Sequence, residues 1–168
     1  MPDLLWDDVR NFFDPDLMGA LPDVSVPGTS VEEWQALFDL VRSSRWTWRY
    51  SDGGVPGPLP SAVEVLSRPP DADSVDLRVW PAPDVLAIFC PTSAEGIYFD
   101  VDLRELQGQT GVDIFCGFLG AIGRRLGKPV LMTGEGDYDN PVLGFDPVAD
   151  RVVLLADPRL IALVAPGA

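Results

Sequence analysis

The sequence contains no histidine. That removes Ser-His-Asp and Cys-His nucleophile pairs, most zinc and iron sites, and the usual general base near neutral pH. Lysine is nearly absent as well: among 12 basic residues only Lys128 is lysine, and the rest are arginine. With 17 prolines and 16 glycines, this bias points to a GC-rich genome. There are only two cysteines, Cys90 and Cys116, each closing an apolar triplet (Ile88-Phe89-Cys90 and Ile114-Phe115-Cys116), and no C-x-x-C pair. Two buried, reduced thiols are expected. No apolar run approaches the ~20 residues that span a bilayer. The start, Met1-Pro2-Asp3-Leu4-Leu5-Trp6-Asp7-Asp8, lacks the basic and apolar regions of a secretory signal, so the expected compartment is the cytoplasm.

What is present fits one α+β domain over residues 1–168, with 46% hydrophobic residues to build a core. The net charge is −14. It is uneven: residues 1–40 carry −8, residues 81–120 carry −5, and residues 41–80 are balanced. Such a chain repels nucleic acid and anionic membranes and attracts basic proteins; the same charge can also serve solubility alone.

Apolar periodicity supplies the elements. A helix is expected over about Leu4–Phe13, capped by Asp3, and residues 14–29 read as irregular, with prolines at 15, 22 and 27. Ser30-Val31-Glu32-Glu33 is a capping box, followed by Trp34, Leu37, Phe38 and Val41 at helical spacing, with the helix ending near Ser43. Trp46 to Tyr50 alternates as a strand, and a short helix fits Pro60 to Ser67. The Pro/Gly-rich stretches Ser51–Pro60 and Arg68–Ser74 read as surface loops. Leu77–Trp80 and Val85–Cys90 read as strands, the second central because it is apolar on both faces. Ile97, Phe99, Val101 and Leu103 alternate with Tyr98, Asp100, Asp102 and Arg104, which predicts a strand with one wet face. A helix over Val112–Leu126 carries Gly117, Gly120 and Gly123, expected to allow close packing on the sheet. Strands at Val130–Met132, Val142–Phe145 and Val152–Leu155 complete the chain. The expectation is an antiparallel or mixed sheet of five to seven strands with helices on one face. Its core should hold Trp34, Leu37, Phe38, Phe89, Phe99, Phe115, Phe118 and Ile122.

Few constellations could carry chemistry. Asp100 and Asp102 form an Asp-x-Asp pair, a spacing that holds a divalent metal in some transferases, but no phosphate-cradling glycine loop stands beside it. Glu135, Asp137 and Asp139 alternate around Tyr138 and lack the glycine and distal glutamate of a calcium loop. An acidic contact loop is the functional reading, and a plain polar loop the structural one. Trp46, Trp48 and Tyr50 fit a core face better than a ligand platform. Neither a catalytic residue, a metal ligand set nor a cofactor is expected.

Three segments carry a resemblance: Tyr98-Phe99-Asp100-Val101-Asp102-Leu103-Arg104-Glu105-Leu106, the helix end Ile122 to Val130, and Pro141-Val142-Leu143-Gly144-Phe145-Asp146. Together they resemble small cytoplasmic proteins of actinobacteria, several of them similar to immunity proteins of bacterial polymorphic-toxin systems. The resemblance covers the second half of the chain. It implies an acidic, non-enzymatic α+β protein that binds one toxin and blocks it, and it transfers no residue-level site. The partner expected is a basic protein, docking on Tyr98, Asp100, Asp102, Glu105, Glu135, Asp137, Tyr138 and Asp139. The alternatives are a divalent-metal enzyme built on the Asp-x-Asp pair and a structural scaffold domain.

Overall fold

The computed structural model describes residues 1–161. Among the described residues, nine strands form one sheet: β1 (Asp23–Pro27), β2 (Thr47–Asp52), β3 (Val55–Gly57), β4 (Val75–Ala82), β5 (Val85–Phe89), β6 (Gly96–Val101), β7 (Val130–Thr133), β8 (Leu143–Asp146) and β9 (Arg151–Leu154). Their order is β3-β2-β4-β5-β6-β1-β7-β8-β9 and every neighbouring pair is antiparallel. The helices are α1 (Trp6–Val9), α2 (Pro15–Met18), α3 (Val31–Ser43), α4 (Ala62–Leu66), α5 (Gly108–Leu126) and α6 (Pro158–Ile161). The α+β class and antiparallel pairing match the expectation, but the sheet has nine strands and not five to seven.

The excess comes from two segments read as loops. Asp52-Gly53-Gly54-Val55 is a two-residue hairpin turn in which Gly53 and Gly54 have φ of 57° and 81°. A turn with positive φ at both central residues matches the twist of the flanking strands, and glycine adopts it without strain. Pro56 is tolerated because β3 is an edge strand. The second segment is β1, between two prolines. Val24 and Val26 are fully buried and alternate with the half-buried Asp23 and Ser25. β5, placed centrally by its sequence, is the fourth strand of nine, paired on both sides.

The first helix also differs. α1 covers Trp6–Val9 and tightens into a 3-10 turn over Arg10–Phe13. Leu5 stands at the cap position, and the first helical N–H, that of Trp6, donates to the Gln109 side-chain oxygen at 2.8 Å. Asp3 instead reaches the far end of the chain, where its carboxylate accepts from the Val152 N–H at 2.9 Å. That N–H lies on the outer edge of β9, so Asp3 blunts an edge that could otherwise pair with another chain.

α3 keeps its capping box. The Ser30 N–H donates to Glu33 at 2.9 Å, and Lys128 pairs with Glu33 at 2.8 Å. Lys128, then Ser30, hold the Glu33 carboxyl down at about 2. α5 starts four residues earlier than its apolar pattern suggested and ends at Gly127, whose φ of 65° is left-handed. Both long helices pack on one face of the sheet. There the Phe118 ring lies 5.4 Å from Phe99, 6.2 Å from Phe89 and 5.0 Å from Trp46. All eight expected core residues are at most 2% exposed.

The α5 glycines have different roles. A Cβ on Gly123 would collide with the Phe145 ring, whereas one on Gly117 would meet nothing. Close packing is therefore needed at Gly123 and not at Gly117. Gly117→Ala is expected to stabilise the fold by about 1 kcal/mol through helix propensity. Gly123→Ala should lose more to overpacking, about 1–3 kcal/mol, than it gains. Urea unfolding of the two variants checks this; equal shifts would contradict the packing assignment.

The cysteines correct a further expectation. Cys116 is buried, and burial, then Asp3 and Asp113, push its thiol up to about 12. Cys90 is exposed, because it lies just past β5 on the side away from the helices. Its pKa is also raised, by partial burial, then by Asp100 and Asp76. Both thiols are free. A maleimide should modify Cys90 first in the native protein and Cys116 only on unfolding. Faster labelling of Cys116 would contradict the burial pattern.

Candidate functional site

The strand registers divide the sheet into two faces. Val24, Phe99 and Met132 point to the helices; Asp23, Asp100 and Thr133 share the other side. One cross-strand row on that side reads Arg49–Arg78–Ile88–Asp100–Asp23–Thr133, from β2 to β7. An adjacent row holds Ser51 and Asp76 at one end and Tyr98, Ser25 and Leu131 at the other. At the middle of the face burial follows the alternation, with Leu86 and Ile88 half-buried and Tyr98 49% exposed against 0% for Phe89, while Ser51 and Thr133 at the row ends are buried. Among the described residues no long helix covers this face. Antiparallel sheets can present one face to water.

The expected site residues separate into three groups. Tyr98, Asp100 and Glu135 come together at this face. Tyr98 folds its ring over Gly96, where a Cβ would clash with it. Asp100 sits directly opposite Asp23 in the ladder. Burial first, then the Asp23 carboxylate and the hydrogen bond a protonated Asp100 can donate to it, then Glu135, push the Asp100 carboxyl above the usual carboxylate range. No ion pair to Asp23, Asp100 or Glu135 occurs among the described residues.

Asp102 and Glu105 leave the group. β6 ends at Val101, so Asp102 does not continue the wet face with Asp100. Asp102 caps the 3-10 turn Leu103–Glu105, accepting from the Arg104 N–H at 2.9 Å. It also holds the Arg104 guanidinium at 2.9 and 2.8 Å, and that ion pair lowers its pKa. Glu105 accepts from the Leu86 N–H at 3.0 Å. An Asp-x-Asp metal pair is thus not assembled by these two residues, one of which is committed to arginine.

Asp137, Tyr138 and Asp139 form the rim, in the exposed loop between β7 and β8. Asp137 accepts from Asn140 at 3.0 Å, and Tyr138 is 71% exposed. The loop is tied to β1 and α2: the Gly136 N–H donates to Asp23 at 3.2 Å, and the Glu135 N–H donates to the Met18 carbonyl at 2.8 Å. Asp23 was missed by sequence reasoning. Its signal was the alternation Asp23-Val24-Ser25-Val26, obscured by the flanking prolines.

No family model, curated protein or solved structure matches this chain. No helix among the described residues is long and apolar enough to cross a membrane.

The raised Asp100 pKa has a consequence for stability. The folded state binds a proton there more tightly than the unfolded chain does. Asp100 therefore favours folding below its raised pKa, and that contribution is lost as pH rises through it. Asp100→Asn removes the repulsion and is expected to raise stability at pH 7 while flattening its pH dependence in the acid range. Chemical denaturation at pH 4 and pH 7 checks this; a variant less stable than wild type at pH 7 would contradict the electrostatic assignment.

Proposed function

We propose that the chain is a non-catalytic protein-binding protein, an immunity-type inhibitor that neutralises a basic toxin by docking on it in the bacterial cytoplasm. The observation that supports this most is the group Asp23, Asp100 and Glu135. Three carboxylates are held together at an uncovered sheet face at a cost to folding, with no cation of their own among the described residues. A partner's arginine or lysine set between them would relieve that cost, and the surrounding negative charge would steer its approach. Tyr98 and Tyr138 supply exposed aromatic anchors beside the carboxylates.

The partner to test is the basic product of the neighbouring open reading frame, with binding kinetics followed from 0.05 to 0.5 M salt. Association is expected to slow steeply as the Debye length shrinks. Asp23→Lys with Asp100→Lys should weaken binding by at least about tenfold, in the range of a desolvated charge pair. Glu64→Lys, on the far side of the molecule in α4, should change little. Unaltered binding by the double variant at every salt concentration would contradict this reading.

A further inference from the structure

The uncovered face carries a charge pattern that the binding of a basic partner does not use. Along one row, Arg49 and Arg78 stand on β2 and β4, Ile88 at the middle on β5, and Asp100 and Asp23 on β6 and β1. Strands lie about 4.8 Å apart, so Arg78 and Asp100, two strands from each other, are roughly 10 Å apart at the backbone, with Ile88 between them. Arg78 has a partner in its own strand, Asp76 at 3.7 Å, and Arg49 has no ion pair among the described residues.

This row is its own complement. A two-fold axis lying in the face, parallel to β5 through Ile88, would set Arg78 over Asp100 of a second copy and Arg49 over Asp23, each twice. Ile88 would meet itself at the centre. The adjacent row obeys the same operation: it brings Asp76 over Tyr98. Cys90, the next residue after β5, would fall on the axis. An isologous interface requires that if residue i meets j, then j meets i, and both rows satisfy this.

We propose that this face packs against the same face of a second copy, forming a two-fold dimer centred on Ile88. The sheets stack about 10 Å apart, as in a sandwich, with each arginine facing a carboxylate across the seam. The net charge of −14 opposes association at long range, but at 0.15 M salt the Debye length of about 8 Å confines that repulsion, while the paired charges in the seam are shielded from salt. The mate's arginines take the place of the cation in the proposed toxin complex, so dimer and complex exclude each other. The dimer itself does not depend on that reading, since it needs only the purified chain.

Sedimentation velocity of the full chain from 5 to 200 µM in 0.15 M salt tests it. The expected result is a concentration-dependent species of twice 18.2 kDa. Arg49→Glu, at an exposed position, and Arg78→Asp should each raise the dissociation constant at least about tenfold, as loss of a close charge pair does. Asp100→Arg combined with Arg78→Asp, which exchanges the charges, should recover it to within about threefold. A short bismaleimide should join two chains through Cys90 and fail in Cys90→Ser. A monomer at 200 µM would overturn the proposal, as would a dimer indifferent to Arg49→Glu and to Arg78→Asp. Loss of toxin binding with an intact dimer would count against the inhibitor reading alone.

Discussion

The pairing of β1 between β6 and β7 is the constraint on which the rest depends. Without it the chain would hold two separate sheets, β3-β2-β4-β5-β6 and β7-β8-β9. Val24 and Val26 contribute the buried side of the seam, fully removed from water beneath the helices. The opposite side of the same five residues brings Asp23 level with Asp100. Core formation and carboxylate clustering are therefore two consequences of one register, and a slip of one residue would invert both. Because β1 finds its partners far along the chain, sheet closure also relies on non-local contacts, which form slowly.

Helices and core were largely legible in the sequence. α3 announced itself by its capping box and apolar stripe, and α5 by a broad apolar face, because helical periodicity over many residues is a strong signal. The strands of the second half were placed to within a residue or two. β1 and β3 were not, since each is short and bounded or interrupted by proline, and the turn chemistry of Gly53-Gly54 was the only local clue to β3. The site was half legible. Alternation placed Tyr98 and Asp100 on a wet face correctly, but it could not show that β6 stops at Val101. Asp102 thus passed from the face to a cap, where Arg104 neutralises it. Asp23 was invisible until the strand carrying it was known.

The electrostatics of the molecule are local rather than diffuse. Lys128 and Glu33 tie the start of α3 to the loop after α5, Arg68 holds Asp52 at the β2–β3 hairpin, and Arg124 meets Asp150 at the turn between β8 and β9. These pairs secure elements to one another. Asp100, Asp23 and Glu135 are the contrast: they repel each other at the middle of a well-packed sheet, and the fold tolerates the cost. Charges left unneutralised on a rigid, pre-formed surface suit recognition, because little ordering is required when a partner supplies the missing cation.

The central claim is that Asp23 and Asp100 act on each other as an unneutralised pair. Carboxyl carbon-13 titration of the isolated chain, in wild type and in Asp23→Asn, measures this most directly. The predicted result is an Asp100 pKa above the ordinary aspartate value in wild type, falling toward it in Asp23→Asn. An ordinary Asp100 titration in wild type, or a raised value unchanged by Asp23→Asn, would contradict it.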